Sequence, residues 1–351
     1  MSAKVVHLTG TDADREALRE AGQILREGGL VAFPTETVYG LGGNALDPDS
    51  SRRIYAAKGR PSDNPLIVHI ADKESLEKIA ARVPAAAWQL AEVFWPGPLT
   101  MIFPKKDCVP RETTGGLDSV AVRLPDHPAA RALIREAGGF VAAPSANTSG
   151  RPSPTCAAHV EEDLGDRIDM ILDGGSVRIG LESTIVDFTG PRPMILRPGW
   201  LNREMLLRLL DEVEVDPGLM KDDPSVRPKA PGMRYRHYAP KAQLTIVEGT
   251  PSAAAARICA LVREGEAQGK KTGIICSRES RDRYPPDANV RCIGSLADES
   301  SIAQHLYGIL RDFDADGTEL IYSESYYTPQ LGQAIMNRLI RAAGHTVIQA
   351  E

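Results

Sequence analysis

Lys58 and Arg60 stand on either side of Gly59, after a helix-like run and before the strand-like run 66–70. Two cations on a turn that Pro61 stiffens are able to hold a polyanion such as a chain of phosphates. A Lys-Gly-Arg turn is also a common solvated surface feature, and here it is predicted to be exposed. The polar residues of the other loops decide between these two interpretations.

Further polar side chains lie where predicted strands begin or end. Ser119 and Arg123 are four residues apart on one predicted strand, so both side chains point to one face. An arginine on an apolar strand must find an anion, because burying an unpaired charge is costly. Other loops add hydroxyl, amide and charged groups, namely Thr35-Glu36-Thr37, Asn64 followed by His69, 145–153 and 180–184 followed by Arg197. Together these loops favour a cavity that binds phosphates and a carboxylate.

Each of these residues also has an ordinary structural interpretation. Ser145 and Asn147 fit the capping of turns, which is the commonest use of such side chains. His69 fits a packed position at a strand end, and Ser183 fits the start of a strand. The functional interpretation therefore depends on the combination of cations with hydroxyl-rich loops.

Several frequent kinds of site are excluded. The sequence contains neither a Walker A loop nor a dinucleotide-binding glycine motif after a strand, and it has no HExxH or GxSxG motif. Its five cysteines form no CxxC pair, so neither a zinc ribbon nor a disulfide framework is indicated. The net charge of −6 argues against a general nucleic-acid-binding protein, which needs positive charge to neutralise phosphates.

Length and composition predict a soluble protein of two domains. The chain has 351 residues, more than one ordinary core holds, and 25% of them are charged. It contains no apolar run long enough to span a bilayer, and its first residues lack the apolar core of a signal peptide. We therefore expect a cytoplasmic location and no membrane partner.

The elements that position these residues change character along the chain. Over residues 1–212, helices and strands mix without strict alternation, which predicts a mixed α+β sheet rather than a doubly wound one. This region includes a predicted loop over 34–41 and a helix from Asn202 to about Val213. Residues 213–241, broken by proline and glycine, are predicted to be a linker. Residues 242–351 alternate strands with helices, which predicts a small parallel three-layer α/β domain.

Five motifs of the first domain occur together: Lys58-x-Arg60-Pro61, Asn64-Pro65-Leu66 with His69, Ser119-Val-Ala-Val-Arg123, Pro144-Ser-Ala-Asn-x-Ser-Gly150 and Ser183-Thr-Ile-Val-Asp187. In this combination they resemble the YrdC-like domain of threonylcarbamoyl-AMP synthases over residues 1 to about 210. The segment 230–240 and the small α/β domain are similar to the long, two-domain form of that family.

The resemblance implies an enzyme that makes L-threonylcarbamoyl-adenylate from L-threonine, bicarbonate and ATP and releases pyrophosphate. The product serves threonylcarbamoylation of the adenosine next to the anticodon in certain tRNAs, with a transfer complex as a possible partner and no stable nucleic-acid binding. The implied first domain is a twisted mixed sheet with a concave basic face. Mg²⁺ is expected with ATP, held mainly by phosphate oxygens and water.

The resemblance also implies roles for individual residues. Lys58 and Arg60 would neutralise the triphosphate and the leaving pyrophosphate, and their replacement by alanine is expected to leave the fold intact. The ATP contacts would be Lys58, Arg60, Ser62, Ser119, Ser145, Asn147, Ser153, Arg197 and Tyr238. The threonine contacts would be Thr35, His69, Arg123, Ala143 through its backbone, and Ser183.

Two points go beyond this carry-over. Arg123 as the partner of the threonine carboxylate is a physical interpretation. A second hypothesis is that residues 230–240 form a lid over the cavity, with Tyr238 on the nucleotide.

Two alternatives from other classes stay open at this level. The basic cavity fits an RNA-binding module, and it also fits a sensor of ATP or threonine with the second domain as its output. The sequence leaves undecided what the second domain does, which group accepts the proton of the threonine amine, and the oligomeric state.

Overall fold

The computed structural model describes residues 2–219 and 237–351. The described residues divide into two units. The first contains the residues up to 219, except for the short segments Gly150–Pro152 and Ile179–Leu181. Those two segments cluster with residues 237–351 in the second unit.

The first unit is built on one large sheet. Its strands are β1 (Lys4–His7), β2 (Val31–Phe33), β3 (Gly40–Asn44), β4 (Ile67–Ile70), β5 (Leu99–Pro104), β6 (Ser119–Arg123), β7 (Phe140–Ala142), β8 (Met170–Asp173), β9 (Thr184–Asp187), β10 (Met194–Arg197) and β11 (Glu214–Val215). Within the described residues they form one sheet in the order β1-β8-β2-β3-β7-β4-β6-β5-β9-β10-β11. Parallel pairs such as β4 with β6 stand next to antiparallel pairs such as β5 with β6. The prediction of a mixed sheet is confirmed.

Helices connect these strands. They are α1 (Arg15–Arg26), α2 (Pro48–Lys58), α3 (Leu76–Ile79), α4 (Ala85–Phe94), α5 (Pro128–Glu136), α6 (Ala157–Leu164) and α7 (Arg203–Leu207). Short 3-10 turns occur at Asp12–Asp14, Lys73–Ser75 and Pro217–Leu219.

Helix α2 has Lys58 as its last residue, and residues at both of its ends explain where it begins and stops. The side chain of Asp47 accepts hydrogen bonds from the first backbone amides of the helix, and Pro48 occupies its first position. Gly59 ends the helix at φ 63°, the left-handed conformation that glycine adopts most easily. No atom lies within 4 Å of the place where a Cβ of Gly59 would stand, so there is room for a side chain. The turn therefore favours glycine because of its backbone conformation and not because of limited space.

The central strands of the sheet have one apolar face and one face that becomes polar. Alternate residues of β4, β5 and β6 belong to the main core, namely Val68, Ile70, Leu99, Met101, Phe103, Val120 and Val122. The opposite face has a small apolar cluster that includes Ile67, Ile102, Ala121 and Ile185. The polar residues described below continue this second face.

The second unit is a separate five-stranded sheet. Its elements are β12 (Gln243–Glu248), α8 (Pro251–Ala267), β13 (Thr272–Ser277), a 3-10 turn at Arg278–Arg283, β14 (Val290–Gly294), α9 (Glu299–Ala315), β15 (Leu320–Glu324), α10 (Gly332–Ala342) and β16 (Val347–Gln349). The strand order among the described residues is β14-β13-β15-β12-β16, and every pair is parallel. Helix α8 packs on the sheet, and α9 and α10 contact each other and the sheet. The parallel α/β prediction is confirmed.

Three local predictions differ from the structure. Strand β3 begins within the segment 34–41 that was predicted as a loop, because its three glycines conceal the strand pattern. Helix α7 ends at Leu207 instead of about Val213. Strand β11 pairs with β10 inside the segment predicted as linker, and residues 220–236 of that segment lie outside the described residues.

In the part of the chain that the structure describes, we find no helix with the length and hydrophobicity needed to cross a membrane.

Candidate active site

A row of polar side chains crosses the central strands of the first unit. His69 on β4 is in register with Arg123 on β6, and Arg123 is in register with Thr100 on β5. The hydroxyl of Thr100 lies 2.7 Å from the hydroxyl of Ser183, the residue before β9. Arg197 on β10 donates from Nε to the backbone oxygen of Ser183 at 3.0 Å and from Nη2 to its hydroxyl at 3.1 Å. These five residues form what we call the polar row.

Arg123 is paired with a carboxylate that comes from the loop after β2. Its Nη2 atom lies 2.7 Å from Oε1 of Glu36, and the two side chains are only 5% and 2% exposed. The pair is close, but its atoms are not aligned as a hydrogen bond, and both Glu36 oxygens lack a hydrogen-bond partner among the described residues. The anion that the sequence required for a buried Arg123 is therefore Glu36.

His69 is buried beside this pair. Burial, and then the positive charge of Arg123, lower the pKa of its imidazole to about 3. Its Nδ1 atom lies 3.2 Å from the backbone oxygen of Ile67. His69 is therefore a neutral residue near pH 7 and adds no charge to the polar row.

Two further predicted threonine contacts lie at the edge of this region. Thr35 donates its hydroxyl to the backbone oxygen of Val38 at 2.7 Å, which closes the turn that carries Glu36. The amide of Ala143 donates to the backbone oxygen of Ile67 at 2.9 Å, which fixes the end of β7 beside β4. Both residues are buried.

The prediction that Lys58 and Arg60 lie on an exposed turn is wrong. Lys58 is 1% exposed and Arg60 is 9% exposed. The ammonium of Lys58 donates to the backbone oxygens of Ser145 and Asn147. The side chain of Lys58 therefore points inward and holds the loop after β7.

Arg60 closes the turn in which it stands. Its Nε donates to the backbone oxygen of Asn64 at 3.2 Å, and its Nη2 donates to that of Pro65 at 3.1 Å. Ser62, between these partners, is exposed. The turn is thus ordered by its own arginine.

Two other predicted ATP contacts, Ser145 and Ser153, have side-chain hydrogen-bond partners. Ser145 donates to Oδ1 of Asn147 at 2.5 Å, within the loop that Lys58 holds. Ser153 donates to Oε1 of Glu182 at 2.6 Å, and both residues are buried. Ser119 is half-buried at the start of β6.

Tyr238 belongs to the second unit. It has a φ of 64°, which is rare for a residue with a Cβ, and it is buried. Its ring stacks on Tyr307 with centroids 5.2 Å apart, and the guanidinium of Arg338 lies 5.9 Å from its centroid. The remainder of the proposed lid, residues 230–236, lies outside the described residues.

The structure therefore brings together three groups of the predicted residues: His69 with Arg123, Ser183 with Arg197, and Lys58 with Ser145 and Asn147. Ser153 and Tyr238 instead contact Glu182 and Tyr307, to which the sequence assigned no role.

A cavity of about 240 Å³ lies beside Glu36 in the first unit. It is lined by Pro34, Thr35, Glu36, Asp126, His127 and residues 174–178. Burial lowers the pKa of His127, so this imidazole favours its neutral form. Asp126 and Arg178 form an ion pair at 2.9 Å with both side chains about half exposed or more.

The described residues contain no group of three or more His, Cys, Asp or Glu side chains that could hold a metal ion. The five cysteines are all free thiols.

Comparisons with known proteins give the family. The family model Sua5_yciO_yrdC, described as telomere recombination, matches residues 23–199. The model Sua5_C, described as the C-terminal domain of threonylcarbamoyl-AMP synthase, matches residues 201–344. Curated threonylcarbamoyl-AMP synthases of Pyrococcus abyssi and Bacillus subtilis are each 47% identical to this chain. Each alignment covers 95% of this chain, and the two cover 95% and 94% of the relatives' own lengths. The chain belongs to the threonylcarbamoyl-AMP synthase family. The predictions of family and of an enzyme are confirmed.

Solved structures of the family agree over the whole length. Pyrococcus abyssi Sua5 complexed with L-threonine is 44% identical, with a TM-score of 0.92 and coverage of 100% of both chains. A variant of the same Sua5 gives a TM-score of 0.93, at 99% coverage of this chain and 98% of its own. Escherichia coli YciO, at 23% identity and a TM-score of 0.53, shares the fold over 59% of this chain.

Sequence reasoning missed the roles of Glu36, Thr100 and Glu182. Glu36 was noted only as part of a polar loop. Thr100 was available from alternation, because it shares a strand face with Ile102 and is a hydroxyl in an otherwise apolar strand. No local signal connects Glu182 to Ser153, which precedes it by 29 residues.

Proposed function

We propose that this threonylcarbamoyl-AMP synthase family member forms L-threonylcarbamoyl-adenylate from L-threonine, bicarbonate and ATP and releases pyrophosphate. The polar row carries this proposal. It contains two buried guanidinium groups, Arg123 and Arg197. We propose that Arg123 binds a carboxylate and that Arg197 binds a phosphate. The hydroxyl of Ser183 contacts both Arg197 and Thr100, and Thr100 is in register with Arg123.

The threonine half of the site consists of Thr35, His69, Arg123, Ala143 and Ser183. In this proposal Arg123 binds the substrate carboxylate, which is the geometry that a guanidinium suits. The neutral imidazole of His69 packs beside it and supplies a hydrogen-bonding edge without a second charge.

The ATP half consists of Lys58, Arg60, Ser62, Ser119, Ser145, Asn147, Ser153, Arg197 and Tyr238. Lys58 holds the loop that contains Ser145 and Asn147. The ammonium of Lys58, the hydroxyl of Ser145 and the amide of Asn147 therefore lie close together. We propose that Lys58 and Arg60 offset the negative charge of the triphosphate and of the departing pyrophosphate.

The chemistry has two steps. The amine of threonine adds to carbon dioxide with release of a proton, or to bicarbonate with release of water, and gives a carbamate. A carbamate oxygen then attacks the α-phosphorus of ATP, and pyrophosphate leaves. Such a transfer depends on positioning and charge stabilisation more than on a covalent nucleophile.

Mg²⁺ enters this scheme as part of the substrate MgATP. We propose that phosphate oxygens and water are its main ligands.

The product is an activated carbamate, and we propose that it serves threonylcarbamoylation of tRNA adenosine next to the anticodon through a separate transfer complex. We also propose that the reaction takes place in the cytoplasm and without stable binding of nucleic acid.

One assay tests the proposal. Pyrophosphate release from MgATP should require both L-threonine and bicarbonate, and omission of either should reduce it to background. Release that ignores threonine would contradict the proposal. Retention of tRNA in a gel shift without any pyrophosphate release would favour an RNA-binding module instead.

A further inference from the structure

The ion pair between Arg123 and Glu36 has features that an internal structural pair does not need. Both side chains are at least 95% buried, and Nη2 and Oε1 are 2.7 Å apart. Nevertheless, Nη2 of Arg123 and both oxygens of Glu36 have no aligned hydrogen-bond partner among the described residues. Buried polar atoms of this kind are few in folded proteins and call for a physical explanation.

The missing partners define the chemistry of a candidate ligand. Nη2 of Arg123 is in ion-pair contact with Oε1 of Glu36, so an aligned acceptor for Nη2 and aligned donors for the Glu36 oxygens would complete their hydrogen bonding. A molecule with a carboxylate and an ammonium on adjacent atoms supplies both. A cavity of about 240 Å³ is lined by Thr35 and Glu36 on the Glu36 side of the pair, and Arg123 is not among its lining residues.

The charges around the pair sum to nearly zero. Arg123 and Glu36 cancel, and His69 beside them is neutral. On the cavity side, Asp126 and Arg178 form a second pair, and burial favours the neutral form of His127. A simple carboxylate that approaches Arg123 therefore also meets the negative charge of Glu36, whereas a zwitterion meets an opposite charge for each of its own.

We propose that Glu36 determines the specificity of the carboxylate subsite: it favours ligands that carry an ammonium group beside the carboxylate and disfavours simple carboxylates. This inference rests on the proposed function, because it takes Arg123 as the partner of the threonine carboxylate.

The test compares two ligands in the full-length chain by calorimetry. The ligands are L-threonine and 2,3-dihydroxybutyrate of the same configuration, in which a hydroxyl replaces the ammonium. The wild type should bind threonine more tightly. In Glu36→Gln, which keeps the shape and removes the charge, this preference should fall at least about tenfold (about 1.4 kcal/mol). Part of this loss of preference should arise because Glu36→Gln binds dihydroxybutyrate more tightly than the wild type does.

Two further variants separate charge from shape. Glu36→Asp keeps the charge and should keep a preference for threonine. Glu324→Gln neutralises another buried carboxylate, which accepts hydrogen bonds from Tyr284 and from the amide of Ser277 in the second unit. It should lower stability without changing the preference.

A purely structural role of Glu36 makes a different prediction. In that case Glu36→Gln would weaken both ligands by the same factor, and an unchanged preference would overturn the inference. Should Glu36→Gln fail to fold, the wild type alone decides, because equal affinity for dihydroxybutyrate and threonine would also overturn it. A wild type without threonine-dependent pyrophosphate release would overturn the proposed function as well.

Discussion

The ammonium of Lys58 donates a hydrogen bond to the backbone oxygen of Asn147, 89 residues further along the chain. A second bond to the backbone oxygen of Ser145 makes Lys58 the clamp of the loop after β7. The lysine therefore has a structural role in addition to any role toward phosphate.

Replacement of Lys58 should consequently affect stability as well as turnover. Lys58→Ala removes a buried charged donor from two carbonyl oxygens, and we expect the free energy of unfolding to fall by about 3 kcal/mol. Pyrophosphate release should fall at least about 100-fold. Chemical denaturation and the pyrophosphate assay measure the two effects. Lys4→Ala is the control, since Lys4 forms an exposed pair with Glu20 and should change stability by less than about 0.5 kcal/mol. A fold as stable as wild type in Lys58→Ala would contradict the clamp.

Ser183 connects the two halves of the polar row, so its removal should weaken both substrates. Ser183→Ala deletes the acceptor of the Arg197 Nη2 bond and the contact with Thr100. We expect KM to rise severalfold for ATP and for threonine. Thr100→Val deletes only the contact with Ser183. Its KM for ATP should therefore stay within about twofold of the wild-type value. Equal ATP effects in the two variants would argue against the connection through Arg197.

His69 should make the protein sensitive to acid. Burial and Arg123 lower its folded pKa to about 3, whereas an unfolded histidine titrates near about 6.5. As the pH falls from about 6.5 toward about 3, His69 therefore becomes protonated in the unfolded state but stays neutral in the folded state. The stability due to neutral His69 is complete above this window and is lost within it.

The corresponding variant is His69→Gln. Between about pH 6 and 4, the wild type should lose up to about 1.4 kcal/mol per pH unit more than this variant. Denaturation curves at several pH values give the slopes, and the other titrating groups cancel because both proteins contain them. Parallel slopes would show that His69 is not held neutral.

Tyr238 combines a strained backbone with a stacked ring, and two substitutions separate these features. Tyr238→Ala and Tyr238→Gly both remove the ring from Tyr307, but only glycine adopts a φ of 64° without strain. The glycine variant should therefore be more stable than the alanine variant by about 1 kcal/mol.

If Tyr238 also contacts ATP, both variants should lose pyrophosphate release to a similar degree, at least about tenfold. Tyr327→Ala is the matched control, because Tyr327 is 66% exposed in the same unit. Activity that follows stability, with the glycine variant close to wild type, would assign Tyr238 a structural role only.

How far the sequence predicts each feature depends on the range of the interactions that create it. The helix-like run before Lys58 was readable, because Gly59 ends α2 through an interaction within one turn. Strand β3 was not readable, because three glycines give it no side-chain pattern and its neighbours β2 and β7 hold it by backbone hydrogen bonds.

The motifs that identify the family are local strings of residues, and so the sequence by itself determined the two fold classes, the enzyme family and the candidate set of substrate contacts. It also indicated that Arg123 needs an anion, since that need follows from desolvation alone.

Only the tertiary structure decided which anion Arg123 meets and where the cations of the turn point. Glu36 reaches Arg123 across a separation of many residues, and Lys58 is buried because α2 ends against the loop after β7. Contacts of this kind depend on how strands are paired and registered, and no short stretch of sequence contains that information.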